Sequence, residues 1–461
     1  MAGWHPDIGE TGLPRYLAIA EAIAADVAGG RLAAGDRLPP QRQLAKTLGI
    51  DFTTVARGYV EAQKRGLVES RVGQGTFVTK VPPKPRPAPA LRRPELVDLS
   101  MNLPPEPEDA DLVARMQEGV EAVGRDIVPL LRYQGFGGSR EAKDAASNWL
   151  SRRALVPSNE RLFVTPGAHP ALLGILCTLT RPGDTIFSES VTYPGIRSLA
   201  AQTGLTLVGV PEDEDGIDPD ALADMVRSHQ PKALYLNPTL NNPTTRTIPA
   251  ARRAAITAVA RRCRLPIIED DAYGFIAPGA PPPFAALAPD LTWHVAGLAK
   301  CIGAGLRVAY VIVPDARSGF PFAAALRSAA VMASPVTVAL ATRWIEDGTA
   351  DALLAFIRTE TAARQAIATE LLAPGSYLAD PLGFHVWMPL PAPWTRSAFV
   401  GHARAARIGV VPSDAFTVEG PPAEAVRIGL GGPATRADVR AALDLMAHAL
   451  EESPAAMSSV L

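Results

Sequence analysis

Apolar positions near the start of the chain recur at three- and four-residue intervals. Between Leu13 and Gly30 they fall at Leu17, Ala20, Ile23, Ala24 and Val27, one helical face closed by a glycine pair. A second helix is expected in LPPQRQLAKTLG, where Pro40 suits the first turn and Gly49 ends it. Asp51 can cap a third, FTTVARGYVEAQKRG, with Val55, Tyr59, Val60 and Ala62 packing and Thr53, Thr54 and Arg57 left to a partner. The period then shortens. LVESRVGQGTFV reads as two strands around Gly73, Gln74 and Gly75, a hairpin.

Proline takes over next. In VPPKPRPAPALRRPELV it alternates with small and basic residues, so Val81 to Val97 is expected to be an extended, semi-rigid linker reaching up to about 50 Å. Beyond it, strand-like runs alternate with longer helical patterns: RLFVTPG, DTIFSES, KALYLNP, LPIIEDD, WHVAGLAK and VAYVIVP. Such alternation predicts a mostly parallel sheet with helices on both faces, an α/β domain. The organisation expected is a small helical module with a hairpin at 1–80, a linker at 81–97 and a large domain at 98–461.

Composition narrows the class. With 461 residues, 47% hydrophobic and 20% charged, the chain has the make-up of a soluble globular protein of two or three domains. Its apolar runs fall short of the ~18 residues a membrane span needs. The opening MAGWHPDIGE has neither basic nor apolar signal-peptide regions, so a cytoplasmic protein is expected. Cys177, Cys263 and Cys301 lie far apart without metal-ligand spacing, which suggests no zinc site and no disulfide framework. The net charge of −2 hides an asymmetry: residues 1–93 hold 14 Lys+Arg against 8 Asp+Glu, net +6, leaving −8 for the remainder. Different partners are expected for the two parts.

Two helices across a tight glycine turn make a helix-turn-helix, whose second helix enters the DNA major groove. The string from Gly30 to Val78, with its glycines, Leu-Pro pair and hairpin wing in order, resembles the GntR family of winged helix-turn-helix regulators. The resemblance implies double-stranded DNA as partner and places Arg42, Thr53, Thr54, Arg57, Gly73 and Gly75 against it. Arginine can hold phosphate or fork onto guanine, and threonine can meet phosphate or a thymine methyl. The chain departs from the family at Phe52, where an arginine is common, and at Asp51, which suits a cap better than a phosphate neighbour.

In the large domain, TPGAHPAL places Gly167, Ala168 and His169 where a strand gives way to a helix, and a glycine there lets backbone amides approach a phosphate. There follow YPG with Tyr193, NPTLNNPTT with Asn242, IIEDDAYG with Asp270 and Tyr273, GLAKCIGAGLR with Lys300 and Arg307, and VRIGL with Arg427. This succession resembles the fold-type I pyridoxal-phosphate enzymes, the aspartate aminotransferase superfamily, with a large α/β domain and a smaller α+β domain. The resemblance implies pyridoxal 5'-phosphate as cofactor and Lys300 as its covalent, catalytic partner. Asp270 is then matched to the pyridine nitrogen, Asn242 and Tyr273 to the phenolate oxygen, Tyr193 to the ring face, and Gly167, Ala168, His169 and Arg307 to the phosphate. Tyr133, in LLRYQGFGGSREA, resembles the tyrosine that reaches the phosphate from the other subunit, which implies a homodimer. Arg427 resembles the fork that grips a substrate carboxylate. Gly297 and Ala299 replace hydroxyl residues common before the lysine, His169 a common glutamine, and Thr245 the usual glycine after NPT.

A GntR-type reader joined by a proline-rich linker to an aminotransferase-like domain is similar to the MocR/GabR subfamily. That resemblance implies a transcriptional regulator that senses an amine or amino acid through external-aldimine formation, with vestigial catalysis. Two alternatives stay open: a working aminotransferase with an accessory DNA-binding module, and a regulator that senses pyridoxal phosphate alone. The effector, the operator and the sign of regulation are not written in the sequence.

Overall fold

The computed structural model describes residues 4–6, 14–71, 75–79 and 97–451. Gly73 and residues 81–96 of the expected linker lie outside the described residues. The chain divides into two compact units, residues 1–93 and 94–461.

The first unit holds three helices, α1 (Arg15–Ala28), α2 (Gln41–Leu48) and α3 (Phe52–Lys64), and two strands, β1 (Val68–Arg71) and β2 (Gly75–Val78). Gly49 closes α2 in the left-handed region at φ +62°. Asp51 caps α3 by accepting from the Thr53 amide at 2.7 Å. The strands pair antiparallel from Val68↔Val78 to Arg71↔Gly75, completing the wing. Ile19, Ala20, Ile23, Leu44, Val55, Tyr59 and Ala62 fill the core. Val60, expected among the packing residues, is instead 51% exposed. Val55, Tyr59 and Ala62 form one stripe at i, i+4 and i+7, and Val60 lies a further 100° around the helix from Tyr59.

The second unit is built on a seven-stranded sheet. Its spatial order is Leu162–Thr165, Ala309–Ile312, Thr292–Gly297, Ile267–Asp270, Leu234–Leu236, Thr185–Glu189 and Thr206–Val210. Ala309–Ile312 runs antiparallel to both its neighbours, while the central pairs are parallel. Side chains alternate between faces as strand geometry requires. Phe163, Trp293 and Val295 pack with Ala168–Leu179 and Ala316–Ala330; Leu162, Val164 and Ala296 pack on the opposite side with Arg140–Ser151 and Pro335–Glu346.

All six strand-like runs are strands. The seventh strand, Thr206–Val210, carries Gly209 within its apolar run. A Cβ there would come within 3.0 Å of the Ser190 Cα on the neighbouring chain segment. A smaller antiparallel sheet, ordered Leu378–Ala379, His385–Pro389, Ala425–Gly429 and Val411–Pro412, forms the C-terminal part. It packs its own apolar cluster against Arg396–Ala405, Arg436–Glu451 and the end of the long helix Thr349–Leu371. Among the described residues, no helix is long and apolar enough to cross a membrane and no metal-binding group of His, Cys, Asp or Glu occurs.

Candidate functional site

In an open α/β sheet, ligands bind beyond the carboxyl ends of the parallel strands. The singled-out residues occupy those ends. Gly167 follows Leu162–Thr165, Tyr193 follows Thr185–Glu189, Asn242 lies in the loop after Leu234–Leu236, Asp270 ends its strand, and Lys300 comes three residues after Gly297. Arg427 enters from the smaller sheet, in Ala425–Gly429.

Asp270 is buried. Its Oδ2 accepts from the Tyr235 hydroxyl at 2.9 Å, and its Oδ1 has no partner. Loss of solvation pushes its carboxyl up to about 6, against the Tyr235 hydrogen bond. A buried acceptor left open costs free energy unless a ligand supplies a donor. Asn237 holds the strand end by donating from Nδ2 to the Asp270 carbonyl at 2.7 Å, and its own amide donates to Glu189 at 2.7 Å. Burial, reinforced by Glu212, lifts Glu189 to about 8, so it is largely protonated at neutral pH.

Lys300 donates from Nζ to the Asn102 carbonyl. Desolvation first, then Arg427 and Arg307, lower its pKa to about 8, with Asp270 opposing. An amine so placed loses its proton readily and can act as a nucleophile. Tyr273, fully enclosed, accepts from Asn102 Nδ2 at 2.9 Å. Arg427 Nη1 donates to Asn242 Oδ1 at 2.8 Å, which leaves the Asn242 amide nitrogen as its donor side. The other Arg427 fork arm reaches the Ser100 carbonyl, its Nε is buried without a partner, and the guanidinium lies 5.1 Å from the Phe416 ring centre. Tyr193 is close enough to Asp270, Arg307 and Arg427 for all three to act on its hydroxyl, whose pKa burial raises.

Gly167 stands before the helix Ala168–Leu179 at φ +97°, and a Cβ there would meet the Arg307 guanidinium at 3.1 Å. Glycine therefore lets Arg307 lie across the helix start, where unsatisfied amides favour an anion. Burial, then Arg307, lowers the His169 pKa, so His169 is neutral at pH 7 and offers a single N–H. At Gly297 a Cβ would touch only Ala168 at 3.6 Å, so packing does not account for the missing hydroxyl. Thr245 takes the left-handed conformation, φ +64°, that the usual glycine would accept without strain. Tyr133 stands outside this cluster, with 86% of its surface exposed.

In the first unit, Arg42 is exposed, with its guanidinium 5.9 Å from the Phe52 ring centre. Arg57 is exposed beside Tyr16, at 4.4 Å. Thr53 is committed through both amide and hydroxyl to the Asp51 carboxylate, and Thr54 is half-buried behind it. Gly75 sits at φ +114°, where a side chain is strained, and a Cβ there would meet the mobile end of the Arg37 side chain at 2.8 Å.

Sequence reasoning missed Tyr235, Asn237, Glu189, Asn102 and His385. The Asn-Pro pair after a strand was a usable signal for Asn237, whereas Asn102 and His385 sit in no motif.

The chain matches the family described as aminotransferase class I and II over residues 94–444, and the bacterial regulatory proteins of the gntR family over residues 15–78. It is 27% identical over 451 residues, 97% of each chain, to the uncharacterized HTH-type transcriptional regulator YdeF of Bacillus subtilis. It is 30% identical over 315 residues, 66% of each chain, to the HTH-type pyridoxine biosynthesis transcriptional regulator PdxR of Corynebacterium glutamicum. Among solved structures, the α-aminoadipate aminotransferase LysN of Thermus thermophilus superposes with a TM-score of 0.70 at 20% identity, covering 79% of this chain and 94% of that one.

The residues present fit the cofactor of this fold. Asp270 keeps an open buried oxygen for a protonated ring nitrogen, Lys300 is a depressed amine, and Gly167 and Arg307 shape an anion cradle. The chain belongs to the aminotransferase class I and II family and, with its gntR-type segment, is a DNA-binding transcriptional regulator whose cofactor is pyridoxal phosphate.

Proposed function

We propose that this regulator senses an amine or amino-acid effector at the Lys300 site and passes the event to its DNA reader. Pyridoxal phosphate supplies an aldehyde that condenses with primary amines and a ring that withdraws electron density. In this reading Lys300 offers its amine to the cofactor, Asp270 keeps the pyridine nitrogen protonated, and Asn242 and Tyr273 donate to the phenolic oxygen. Tyr193 covers the ring, and Gly167, Ala168, His169 and Arg307 hold the phosphate. The exposed Tyr133 completes the phosphate site of a second copy, and Tyr133 of the partner subunit completes this one.

The observation that carries the effector reading is Arg427: a buried guanidinium with an unpartnered Nε, next to Lys300, on a chain that also holds a DNA reader. Buried charge is costly unless paired, and a carboxylate is the pairing partner a planar fork fits. Arg42, Thr53, Thr54, Arg57 and Gly75 face the operator, which requires the chain to share the cytoplasm with DNA. The test is a titration of amines with and without a carboxylate, following cofactor absorbance. The reading expects carboxylated amines to act at lower concentration, and Arg427→Ala to abolish that preference. An unchanged preference in that variant would remove Arg427 from the effector site.

A second reading has its own support, since one relative is named for pyridoxine biosynthesis: occupancy by the cofactor itself is the signal. DNA affinity would then follow cofactor loading and ignore every amine. Turnover is required by neither reading; incubation with an amino acid and a keto acid shows whether more than one equivalent is converted.

A further inference from the structure

Behind Tyr273 lies a buried chain of hydrogen bonds through Asn102 and His385, neither of which belongs to a motif singled out in the sequence. His385 Nε2 lies 3.1 Å from the Asn241 carbonyl, and His385 Nδ1 lies 3.1 Å from Asn102 Nδ2. The same Asn102 nitrogen lies 2.9 Å from the Tyr273 hydroxyl. All three side chains are buried.

The direction of every bond in this chain follows from one end. Burial, with Arg427 and Lys300 nearby, lowers the His385 pKa to about 3, so the ring is neutral and carries a single N–H. The Asn241 carbonyl can only accept, so that hydrogen is on Nε2. Nδ1 is therefore an acceptor and requires a donor. Only the nitrogen of the Asn102 amide can serve, which fixes the amide against flipping. Its second hydrogen then goes to the Tyr273 oxygen. The hydrogen of Tyr273 is left to be given elsewhere. Asn102 Oδ1 meanwhile stays buried without a partner, a cost the protein bears to keep the nitrogen side turned to Tyr273 and His385.

We propose that His385 and Asn102 are positioning residues that set the polarity of Tyr273, compelling its hydroxyl to donate to the phenolic oxygen of the cofactor instead of accepting from it. The inference rests on the cofactor assignment above and adds to it two residues that never touch the cofactor through that relay. A donor to the phenolic oxygen stabilises its deprotonated form. Loss of the relay therefore raises the pH at which the cofactor's absorbance changes. Asp270, Arg427 and Arg307 also act on this site and are retained in every variant.

The experiment is a spectrophotometric pH titration of the cofactor-loaded, full-length protein. The variants are His385→Phe, Asn102→Leu, Tyr273→Phe and each of the first two combined with Tyr273→Phe. The relay predicts that the three single variants raise the midpoint by about one pH unit, the scale of one lost hydrogen bond. In the Tyr273→Phe background the other two changes should add nothing, because their effect passes through that hydroxyl. An unmoved midpoint in Asn102→Leu, or shifts that add in the double variants, overturns the relay. Should His385→Phe not fold, Asn102→Leu and its double decide alone. A wild-type protein without a cofactor band would overturn the cofactor assignment itself, whereas a band with an unmoved midpoint overturns the relay only.

Discussion

Asp270 keeps a carboxyl buried at a cost in stability, and in the proposed function that carboxyl serves cofactor binding. Its folded pKa, about 6, lies above the ordinary aspartate value near 4. The sign follows from proton counts: the folded state holds more protons than the unfolded one across that window, so stability falls as pH rises from about 4 through 6. Full ionisation costs the cofactor-free protein up to about 3 kcal/mol. Asp270→Asn should therefore raise the melting temperature of cofactor-free protein at pH 7.5 while weakening cofactor binding. A variant that melts lower and binds normally would contradict this. Lys300→Ala should leave the cofactor removable after borohydride treatment, and a cofactor still covalently fixed would reassign the reactive amine. The places of Asp270 and Lys300 at strand ends were legible from motif order, since the strand before each residue survives in one dimension. Asn102 was not. Its partners Tyr273 and His385 lie 171 and 283 residues further along the chain, a proximity only the folded sheet creates.

At the scale of elements, periodicity carried most of the reading. The helix-turn-helix was visible because its helices bury one regular face, and the six strands because they are short, nearly continuous apolar runs buried on both faces. What periodicity could not show was which edge of an apolar stripe meets the core, hence Val60, and where two helices approach without side chains between them. Gly58 marks such an approach. A Cβ on it would lie 2.9 Å from the Ile19 Cβ and 3.0 Å from the Tyr16 carbonyl, both on α1. Gly58→Ala should destabilise the reader by about 1–3 kcal/mol through overpacking. Thermal unfolding of the isolated transition of this unit, read beside an unaltered cofactor absorbance, checks it. Arg42→Ala, by contrast, should leave both intact. It should weaken operator binding by about 1–3 kcal/mol if the arginine reads a base, or reduce the salt slope by about one if it neutralises a phosphate. An operator affinity and salt slope both equal to wild type would take Arg42 out of the interface.

For the molecule as a whole, the proposed homodimer has support in the segment around Tyr133, where Val128, Leu131 and Phe136 are also exposed. Apolar side chains gathered on a surface in this way are commonly covered by a partner. Sedimentation should show a dimer, and a monomer at micromolar concentration that retains tight cofactor binding would contradict the role given to Tyr133. The charge asymmetry between the two units and the order of motifs made the division of labour legible early. The identity of the proposed effector was not, because the surroundings of Arg427 are assembled only in the fold: Asn242 and the Ser100 carbonyl take its two fork arms, and the Phe416 ring centre lies 5.1 Å away. The central claim is that chemistry at Lys300 governs DNA binding. It is tested most directly by titrating a responsive carboxylated amine into cofactor-loaded protein on labelled operator DNA, recording cofactor absorbance and DNA affinity in the same samples. The account predicts that both change over the same concentration range and that Arg427→Ala displaces both together. Absorbance that responds while operator affinity stays constant throughout would contradict it.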